Sequence, residues 1–414
     1  MTRTGEVPWP ELVAITRPLA EPLDPVAVAG SDALLFARAD GAALAGRGVV
    51  ARLPPDVAAE ALAAAQIDDP VTRPGTGPVA LGVVPFHPDA TGRLTIPALV
   101  VGRGTDRSGW VTTVGTADDP PADPVAVDVA ALGRPPVPGL GPGRFTVASA
   151  RSPAEWCDSV AAATALIRSG RLDKVVLARE VHVSADAPFD VAAILRRLTL
   201  GFPGCYVFSV DGFVGASPEL LVGRAGDEVT SQPMAGTAPR RGDPAADADA
   251  VAGLLASPSY RHEHQVTIDA VYDALVPFCS FLDFEAEPSV VALPNVTHLA
   301  TTVSGHLSSP APSALDLVAA LHPTPAVCGR PRAAALDAIA ELEGFDRGPY
   351  AGAVGWLDGQ GNGTWAVGIR SAVIDGAEAR VFGGNGIVAD SDPATELIET
   401  RAKLQALLGV LVRP

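Results

Sequence analysis

Basic residues are scarce in this chain of 414 residues, and their scarcity excludes one class of partner. Lys and Arg number 30 against 47 Asp and Glu, which gives a formal net charge of −17. A surface of this sign repels phosphate backbones, and no Lys/Arg-rich stretch overrides it. We therefore expect no nucleic-acid partner.

Long apolar runs are also missing. No stretch of about 18 uncharged apolar residues occurs, so the sequence predicts no membrane-spanning helix. Pro8, Pro10, Glu11 and Arg17 interrupt the place where a secretory signal would need its apolar segment. These absences predict a cytoplasmic protein that does not associate with membranes.

Cysteine occurs only four times, at Cys157, Cys205, Cys279 and Cys328. The four residues lie far apart and form no CxxC pair, so we interpret them as reduced thiols and not as a disulfide frame or a zinc site. The remaining composition, with 48% apolar and 19% charged residues, is typical of a globular protein with a substantial core.

The composition of the sequence changes near residue 145. Residues 1–145 are rich in Ala, Pro and Gly, and the Pro/Gly cluster at 134–143 predicts a loop or boundary. We interpret 1–145 as an N-terminal part of the fold and 146–414 as one catalytic region. Predicted strands often follow one another without alternating regularly with helices, which favours an α+β fold over a doubly wound sheet.

One motif imitates a dinucleotide-binding site. Residues 384–389 read GNGIVA and match the form GxGxxA, which alone is a weak signal. However, Ser391-Asp392-Pro393 predicts a separate helix start, with Ser391 or Asp392 as N-cap and Pro393 in the first turn. Because no second strand with an acidic residue follows about twenty residues on, we do not expect a nucleotide here.

The predicted last helix carries a charged face. Glu396, Glu399 and Lys403 are spaced i, i+3 and i+7 and share one side of the helix. Spacing alone fits a solvated stripe with an ion pair as well as a functional site.

A second acidic residue, Glu263, lies in a predicted helix between His262 and His264. The two histidines are two positions apart and do not face each other, so a zinc chelate has poor geometry. Carboxylates from separate helices with few soft ligands would suit Mg²⁺ instead.

Two charged residues accompany predicted apolar strands. Lys174 stands out because lysine is scarce. It is either an edge lysine reaching water or a buried general base. Glu219 heads a strand and is either a solvated carboxylate or a buried general acid. Arg370 ends another strand, where a bidentate grip on a carboxylate is possible.

Eight strings in the second part of the chain resemble one known family. In order they are LDKVVLARE, ASPELLVG, QPMAGTAPRR, RHEHQVTIDAV, LHPTPAVCGRPR, ELEGFDRGPYAGAVGW, WAVGIRSAV and GGNGIVADSDPATELIETRAKL. They resemble the chorismate-binding enzymes, which include the isochorismate, salicylate, anthranilate and aminodeoxychorismate synthases, over roughly residues 150 to 411. The resemblance implies a single large α+β domain of two packed, mainly antiparallel sheets surrounded by helices.

The resemblance also implies roles for individual residues. Lys174 matches the base that activates water for attack at C2 of chorismate, and Glu219 matches the acid that protonates the departing C4 hydroxyl. Glu263 and Glu399 match direct Mg²⁺ ligands, and Glu396 an acid that supports the metal. The remaining matches are to substrate-binding positions: Gly236, His298, Ala326, Tyr350, Arg370 and Lys403.

Three positions indicate which member the chain resembles. Lysine at position 174 favours water over ammonia, Ala235 stands where aminodeoxychorismate synthases carry a nucleophilic lysine, and Ala326 stands where pyruvate-eliminating members tend to carry threonine. We therefore expect an isochorismate synthase, an isomerase. Salicylate synthase or a catalytically silent homologue is the alternative.

The resemblance has consequences for partners as well. We expect a monomer without a glutamine amidotransferase subunit, and a product that feeds menaquinone or siderophore synthesis. The string GGNG departs from the family's usual GAG(A)G-type turn, and we expect this to alter only loop backbone.

Overall fold

The computed structural model describes residues 9–30, 34–134, 141–240, 242–293 and 296–412, without the side chains of residues 129, 130, 239, 259, 260 and 263. Most of the predicted loop at 134–143 therefore lies outside the described residues. So does the side chain of Glu263, although its backbone belongs to a helix.

The described residues form short strands, helices and two 3-10 turns. The strands are β1 (Leu12–Leu19), β2 (Leu34–Ala37), β3 (Ala43–Arg47), β4 (Ala51–Leu53), β5 (Gln66–Asp68), β6 (Val79–Val84), β7 (Arg93–Ile96), β8 (Leu99–Arg103), β9 (Gly109–Thr116), β10 (Phe145–Ser149), β11 (Lys174–Ala185), β12 (Tyr206–Val210), β13 (Phe213–Ser217), β14 (Leu220–Ala225), β15 (Glu228–Gln232), β16 (Met234–Pro239), β17 (Cys279–Phe284), β18 (Ser289–Ala292), β19 (Val296–Ala300), β20 (Val303–Leu307), β21 (Gly329–Arg330), β22 (Ala353–Asp358), β23 (Gly363–Val367), β24 (Ser371–Asp375) and β25 (Glu378–Ile387). The helices are α1 (Pro25–Ala29), α2 (Pro55–Ala63), α3 (Val129–Leu132), α4 (Pro153–Arg168), α5 (Val191–Gly201), α6 (Pro244–Ala256), α7 (Pro258–Leu275), α8 (Ala314–Leu321), α9 (Arg332–Glu343) and α10 (Pro393–Leu411), with 3-10 turns at Pro124–Ala126 and Val276–Phe278.

Most strands lie in two large sheets. The first has the order β10-β11-β25-β24-β13-β12-β2-β3-β8-β9-β1-β5, with β21 also paired to β11. The second has the order β17-β20-β15-β14-β23-β22-β6-β7-β4, and a small third sheet has the order β16-β19-β18. Among the described strands only β1 and β5 pair in parallel, so the α+β prediction with mainly antiparallel sheets is confirmed.

The two large sheets pack face to face through large apolar side chains. Phe36 and Phe208 from the first sheet share one buried cluster with Leu81 and Trp356 from the second. Strands such as β22, with all six residues buried, are covered on both faces, which is why they read as continuous apolar runs and not as alternating patterns. Helices α4, α9 and α10 lie on the outside, against β11 and β25.

Strands from both sides of residue 145 belong to the same sheets. In the first sheet β2 pairs with β12, and in the second β6 pairs with β22. The N-terminal residues thus complete the sheets that carry the site. The division into 1–145 and 146–414 stays a prediction.

Capping residues fix the starts of helices α4 and α10. Ser152 Oγ accepts a hydrogen bond from the Glu155 backbone N–H, and the Glu155 carboxylate accepts one from the Ser152 backbone N–H, so a capping box opens α4. Asp392 is the N-cap of α10 and Pro393 its first residue, as predicted. Because α10 begins only at Pro393, residues 384–389 do not lead directly into a helix as a dinucleotide-binding motif does.

The four cysteines are free thiols, as expected. No helix in the described part of the chain is long and apolar enough to cross a membrane.

Candidate active site

Two adjoining cavities form a cleft where β11, β25 and α10 meet. The inner cavity has a volume of about 100 Å³ and the outer cavity about 710 Å³. The two cavities share five lining residues: Lys174, Gly236, Thr237, Gly386 and Lys403. The inner cavity contains every residue predicted to be catalytic or substrate-binding, namely Lys174, Glu219, Gly236, His298, Ala326, Tyr350, Arg370 and Lys403. Those positions are separated by up to 229 residues in the sequence (403 − 174), and the fold brings them together.

Lys174 and Glu219 are both buried in this cleft. Lys174 begins β11 and is 8% exposed, so it is not an edge lysine reaching bulk water. Glu219 lies between β13 and β14 and is 4% exposed. Burial raises the pKa of Glu219 to about 8, although a hydrogen bond from the Met234 backbone and the charge of Lys174 partly oppose the shift. At neutral pH Glu219 therefore carries a proton that it can donate.

Arg370 presents an unsatisfied donor to the inner cavity. It lies between β23 and β24 with a backbone φ of 53°. The strand that the sequence predicted to end at Arg370 is β23, and it ends earlier, at Val367. Burial lowers the pKa of its guanidinium. One terminal nitrogen, Nη1, is buried without a hydrogen-bond partner among the described residues. A buried cation with an unused donor is costly unless a ligand pairs with it, which suits an anionic substrate.

His298 fixes the orientation of Arg370. Its Nε2 lies 3.2 Å from Arg370 Nη2 and its Nδ1 lies 3.1 Å from Thr237 Oγ1. Burial lowers the pKa of His298 to about 3, with the charges of Arg370 and Lys403 adding to the shift. Because a guanidinium can only donate, Nε2 must accept, and the proton of the neutral ring is on Nδ1.

Tyr350 closes the cavity on one side. It is buried, its ring stacks on Phe382 with centroids 4.9 Å apart, and burial raises the pKa of its hydroxyl to about 12. A Cβ added at Gly384 would lie 3.1 Å from the Tyr350 hydroxyl and 2.9 Å from the Leu177 carbonyl oxygen. The glycine therefore leaves room for the phenol, which stays protonated and can donate a hydrogen bond.

The acidic residues of α10 border the outer cavity. Glu396 and Glu399 line it together with Lys403, and Glu399 Oε1 lies 2.6 Å from Lys403 Nζ. Across the cavity, His262, Val266 and Thr267 of α7 line the opposite wall, which brings the helix of Glu263 to the same space. No group of three His, Cys, Asp or Glu close enough to hold an ion occurs among the described side chains. The three-carboxylate set stays a prediction because Glu263 is not among them.

A sequence model of the family described as "Chorismate binding enzyme" matches residues 55–412. The chain belongs to this family.

Individual relatives and solved structures agree with the assignment. A Mycobacterium tuberculosis relative that carries the name MenF is 41% identical over 354 residues, 82% of this chain and 88% of its own. Isochorismate synthase DhbC of Bacillus subtilis is 42% identical over 270 residues, 63% of this chain and 68% of its own. The structure of the menaquinone-specific isochorismate synthase MenF of Escherichia coli superposes with a TM-score of 0.82 at 26% identity, covering 99% of this chain and 96% of that one.

Sequence reasoning missed a buried ion pair beneath the active site of this chorismate binding enzyme. Glu343 and Arg347 pair with side chains 1% and 2% exposed. Arg347 also donates to the carbonyl oxygens of Val327, 2.8 Å away, and Val176, 2.7 Å away. The i, i+4 spacing of the pair reads as an ordinary surface contact, and nothing in the sequence marks it as buried.

Sequence reasoning was also wrong about GGNG. Residues 383–386 lie within β25 and not in a turn. The side chain of Asn385 is 2% exposed and contacts Glu396 and Lys403. The departure from the family pattern therefore changes the surroundings of two predicted site residues and not only the backbone.

Proposed function

We propose that the protein is an isochorismate synthase, an isomerase that adds water at C2 of chorismate and expels the C4 hydroxyl while the ring double bonds migrate. The observation that carries the proposal is the pairing of a buried amine with a buried, protonated carboxyl in one cavity, Lys174 and Glu219. Such a pair is suited to a displacement in which one group takes a proton and the other gives one.

Lys174 takes the proton of the attacking water. Its amine lies at the boundary of the two cavities, so water can reach it from the larger outer cavity. Glu219 donates its proton to the departing hydroxyl, which leaves as water. One proton is taken and one is given, so the reaction is balanced without a redox cofactor.

Three groups in the inner cavity bind the anionic substrate. Arg370 offers its unused Nη1, Tyr350 its hydroxyl, and Lys403 its ammonium. A chain with a net charge of −17 must reverse its field locally to hold a dianion, and these donors supply the positive potential. Gly236, His298 and Ala326 complete the wall, with His298 orienting the guanidinium.

Mg²⁺ is the cofactor that we propose for the outer cavity. Glu396 and Glu399 on α10 and Glu263 on α7 would hold it, since all three provide carboxylate oxygens, the ligands Mg²⁺ prefers. When bound, the ion would neutralise a substrate carboxylate and fix the ring in the cleft.

Two features distinguish this proposal from the alternatives: the nucleophile is water, and no pyruvate is eliminated afterwards. Lys174 is positioned to activate water. Ala326 offers no hydroxyl next to the inner cavity that could assist loss of pyruvate, so the reaction stops at isochorismate. A salicylate synthase would continue past this point. Because water and not ammonia is consumed, the proposal includes no glutamine amidotransferase subunit, and we propose a monomer in the cytoplasm.

The direct test incubates the purified protein with chorismate and Mg²⁺ and separates the products by chromatography, with an EDTA-treated sample beside it. We expect isochorismate without salicylate or pyruvate, and loss of product with EDTA. Salicylate with pyruvate would favour the salicylate synthase. No product at any Mg²⁺ concentration, with chorismate still bound, would favour a silent homologue.

Arg370→Lys should raise the KM for chorismate by about 10-fold or more, because a lost hydrogen bond to a charged group costs about 1.5–3 kcal/mol. Lysine keeps the charge but cannot keep the bond to His298 and offer a second donor to the substrate at once. Steady-state kinetics at saturating Mg²⁺ measures the change. Arg380→Lys, at a partly exposed arginine paired with Glu180 outside the cleft, is the matched control. A wild-type KM in Arg370→Lys would contradict the role.

A further inference from the structure

Asn385 lies under the active site with its side chain turned towards α10. It is 2% exposed in β25, opposite Leu177 of β11. Its neighbours Gly384 and Gly386 line the inner cavity, and successive residues of a strand face opposite sides of the sheet. The Asn385 amide is therefore placed between the strand and the helix that carries Glu396, Glu399 and Lys403.

The amide bonds to two of those three residues. Asn385 Oδ1 accepts from Lys403 Nζ at 2.8 Å, and Nδ2 donates to Glu396 Oε2 at 2.8 Å and to the Glu396 carbonyl oxygen at 3.1 Å. An ammonium can only donate and a carboxylate can only accept, so this orientation of the amide is the one that satisfies both partners. A leucine or alanine here could serve neither.

The Lys403 ammonium uses its three protons on three acceptors. These are Asn385 Oδ1, the Gly384 carbonyl oxygen at 3.1 Å, and Glu399 Oε1 at 2.6 Å. Two of the three partners belong to β25 and fix the nitrogen at the edge of the inner cavity. If the Glu399 carboxylate turns to a divalent ion, one proton of Lys403 becomes available for a substrate carboxylate while the nitrogen stays in place.

Glu396 is held from two sides. Ser391 Oγ donates to Oε1 at 2.7 Å and Asn385 Nδ2 to Oε2. Each carboxylate oxygen keeps a further acceptor site, so the group can still accept from an ion-bound water in the outer cavity. Its orientation depends on Asn385 directly.

We propose that Asn385 is a positioning residue that couples the two ends of the cleft: it holds Glu396 for the divalent ion and Lys403 for the substrate carboxylate, so that Lys403 can exchange Glu399 for the substrate. The proposal rests on the proposed function for the identity of the substrate. The hydrogen bonds from which it is built do not depend on that identity.

The test compares wild type with Asn385→Ala and Asn385→Asp, and uses Mn²⁺ as the probe because carboxylate sites that suit Mg²⁺ also accept it. The electron paramagnetic resonance signal of free Mn²⁺ is titrated with protein alone, without substrate. We expect Asn385→Ala to bind Mn²⁺ about 10-fold more weakly, in the range measured for loss of groups that orient metal ligands. Asn385→Asp should bind at least as weakly, because it keeps the shape but replaces the donor to Glu396 with a repelling oxygen.

Kinetics supplies the second readout. In Asn385→Ala the KM for chorismate and the half-saturating Mg²⁺ concentration should both rise, while kcat at saturation of both stays within about twofold, since Lys174 and Glu219 are untouched. Asn362→Ala is the matched control. Asn362 is 3% exposed and bonds to the carboxylate of Asp358 at 3.0 Å, outside both cavities, so Mn²⁺ affinity and both constants should be unchanged.

Each outcome separates this proposal from the proposed function. Equal Mn²⁺ affinity in wild type and Asn385→Ala, in an enzyme that makes isochorismate, would overturn the positioning role alone. If Asn385→Asp binds Mn²⁺ more tightly than wild type does, the positioning role is also overturned, since position 385 would then contact the ion directly. If wild type binds Mn²⁺ and Asn385→Ala binds it more weakly but neither forms isochorismate, the positioning role stands and the proposed function fails.

Discussion

Glu219→Gln should lower kcat for isochorismate formation by about 10²- to 10⁴-fold and leave the KM for chorismate close to the wild-type value. Glutamine keeps the size and hydrogen-bonding capacity of the protonated carboxyl but has no proton to transfer. Steady-state kinetics with chromatographic detection of isochorismate measures both constants. Glu180→Gln replaces a carboxyl of similar burial, 5% exposed, outside the cleft and should retain activity.

The role of Glu219 as an acid also predicts how kcat/KM and the free energy of unfolding of wild type depend on pH. Because burial raises the pKa of Glu219 to about 8, the acid is present below that pH, and kcat/KM should fall as the pH rises through it. The free energy of unfolding follows the same sign: the folded state binds this proton more tightly than the unfolded state, so the stabilisation is complete below about pH 4.5 and is lost towards pH 8.

Glu219→Gln should therefore be as stable as wild type near pH 4.5 and more stable near pH 8.5, by at least about 1 kcal/mol. Urea unfolding at the two pH values checks this. A variant with near wild-type turnover, or a stability difference that does not change with pH, would mean that Glu219 is not the buried acid.

Local signals in the sequence predicted much of the framework. The capping residues placed the start of α10 at Asp392 and Pro393, where the structure has it. The clustering of Val and Leu after Lys174 predicted β11, although the strand runs on to Ala185. These features depend on neighbouring residues, so the sequence carries them.

The chemistry of individual positions needed more than local signals. Spacing alone left Lys174 and Glu219 balanced between exposed and buried readings, because burial depends on what packs over a strand end. The order of eight family-like strings decided between the readings, and the structure places both residues in the cleft. Their catalytic roles stay predictions.

Contacts between distant elements could not be predicted. Asn385 meets Glu396 and Lys403 only because β25 lies under α10, and a short glycine-rich string reads as a turn when the covering helix is unknown. The same limit applies to Arg347, whose partners Val176 and Val327 are 171 and 20 residues away in sequence. Such contacts are properties of the assembled fold.

Arg347→Ala should lower the free energy of unfolding by about 3–5 kcal/mol, the usual cost of leaving one member of a buried ion pair uncompensated. Glu343 would remain with its side chain 1% exposed, and the carbonyl oxygens of Val327 and Val176 would lose their donor. Urea unfolding measures the loss. Arg52→Ala, at an exposed arginine that lies 3.5 Å from Asp211, is the control and should change stability by less than about 1 kcal/mol.

The double variant Glu343→Leu with Arg347→Met separates stability from function. Replacing both members of a buried pair by apolar residues is often neutral for folding, so the double variant should recover the part of the stability that Arg347→Ala loses through the uncompensated Glu343 charge. It should not recover activity, because Arg347 joins the backbone next to Ala326 to the backbone of β11 two residues beyond Lys174. Without that link the base and the opposite wall of the inner cavity are no longer held at a fixed separation, and even a 1 Å misplacement can cost about 10²-fold in rate. A double variant that regains stability and wild-type kcat together would show that the ion pair serves folding alone.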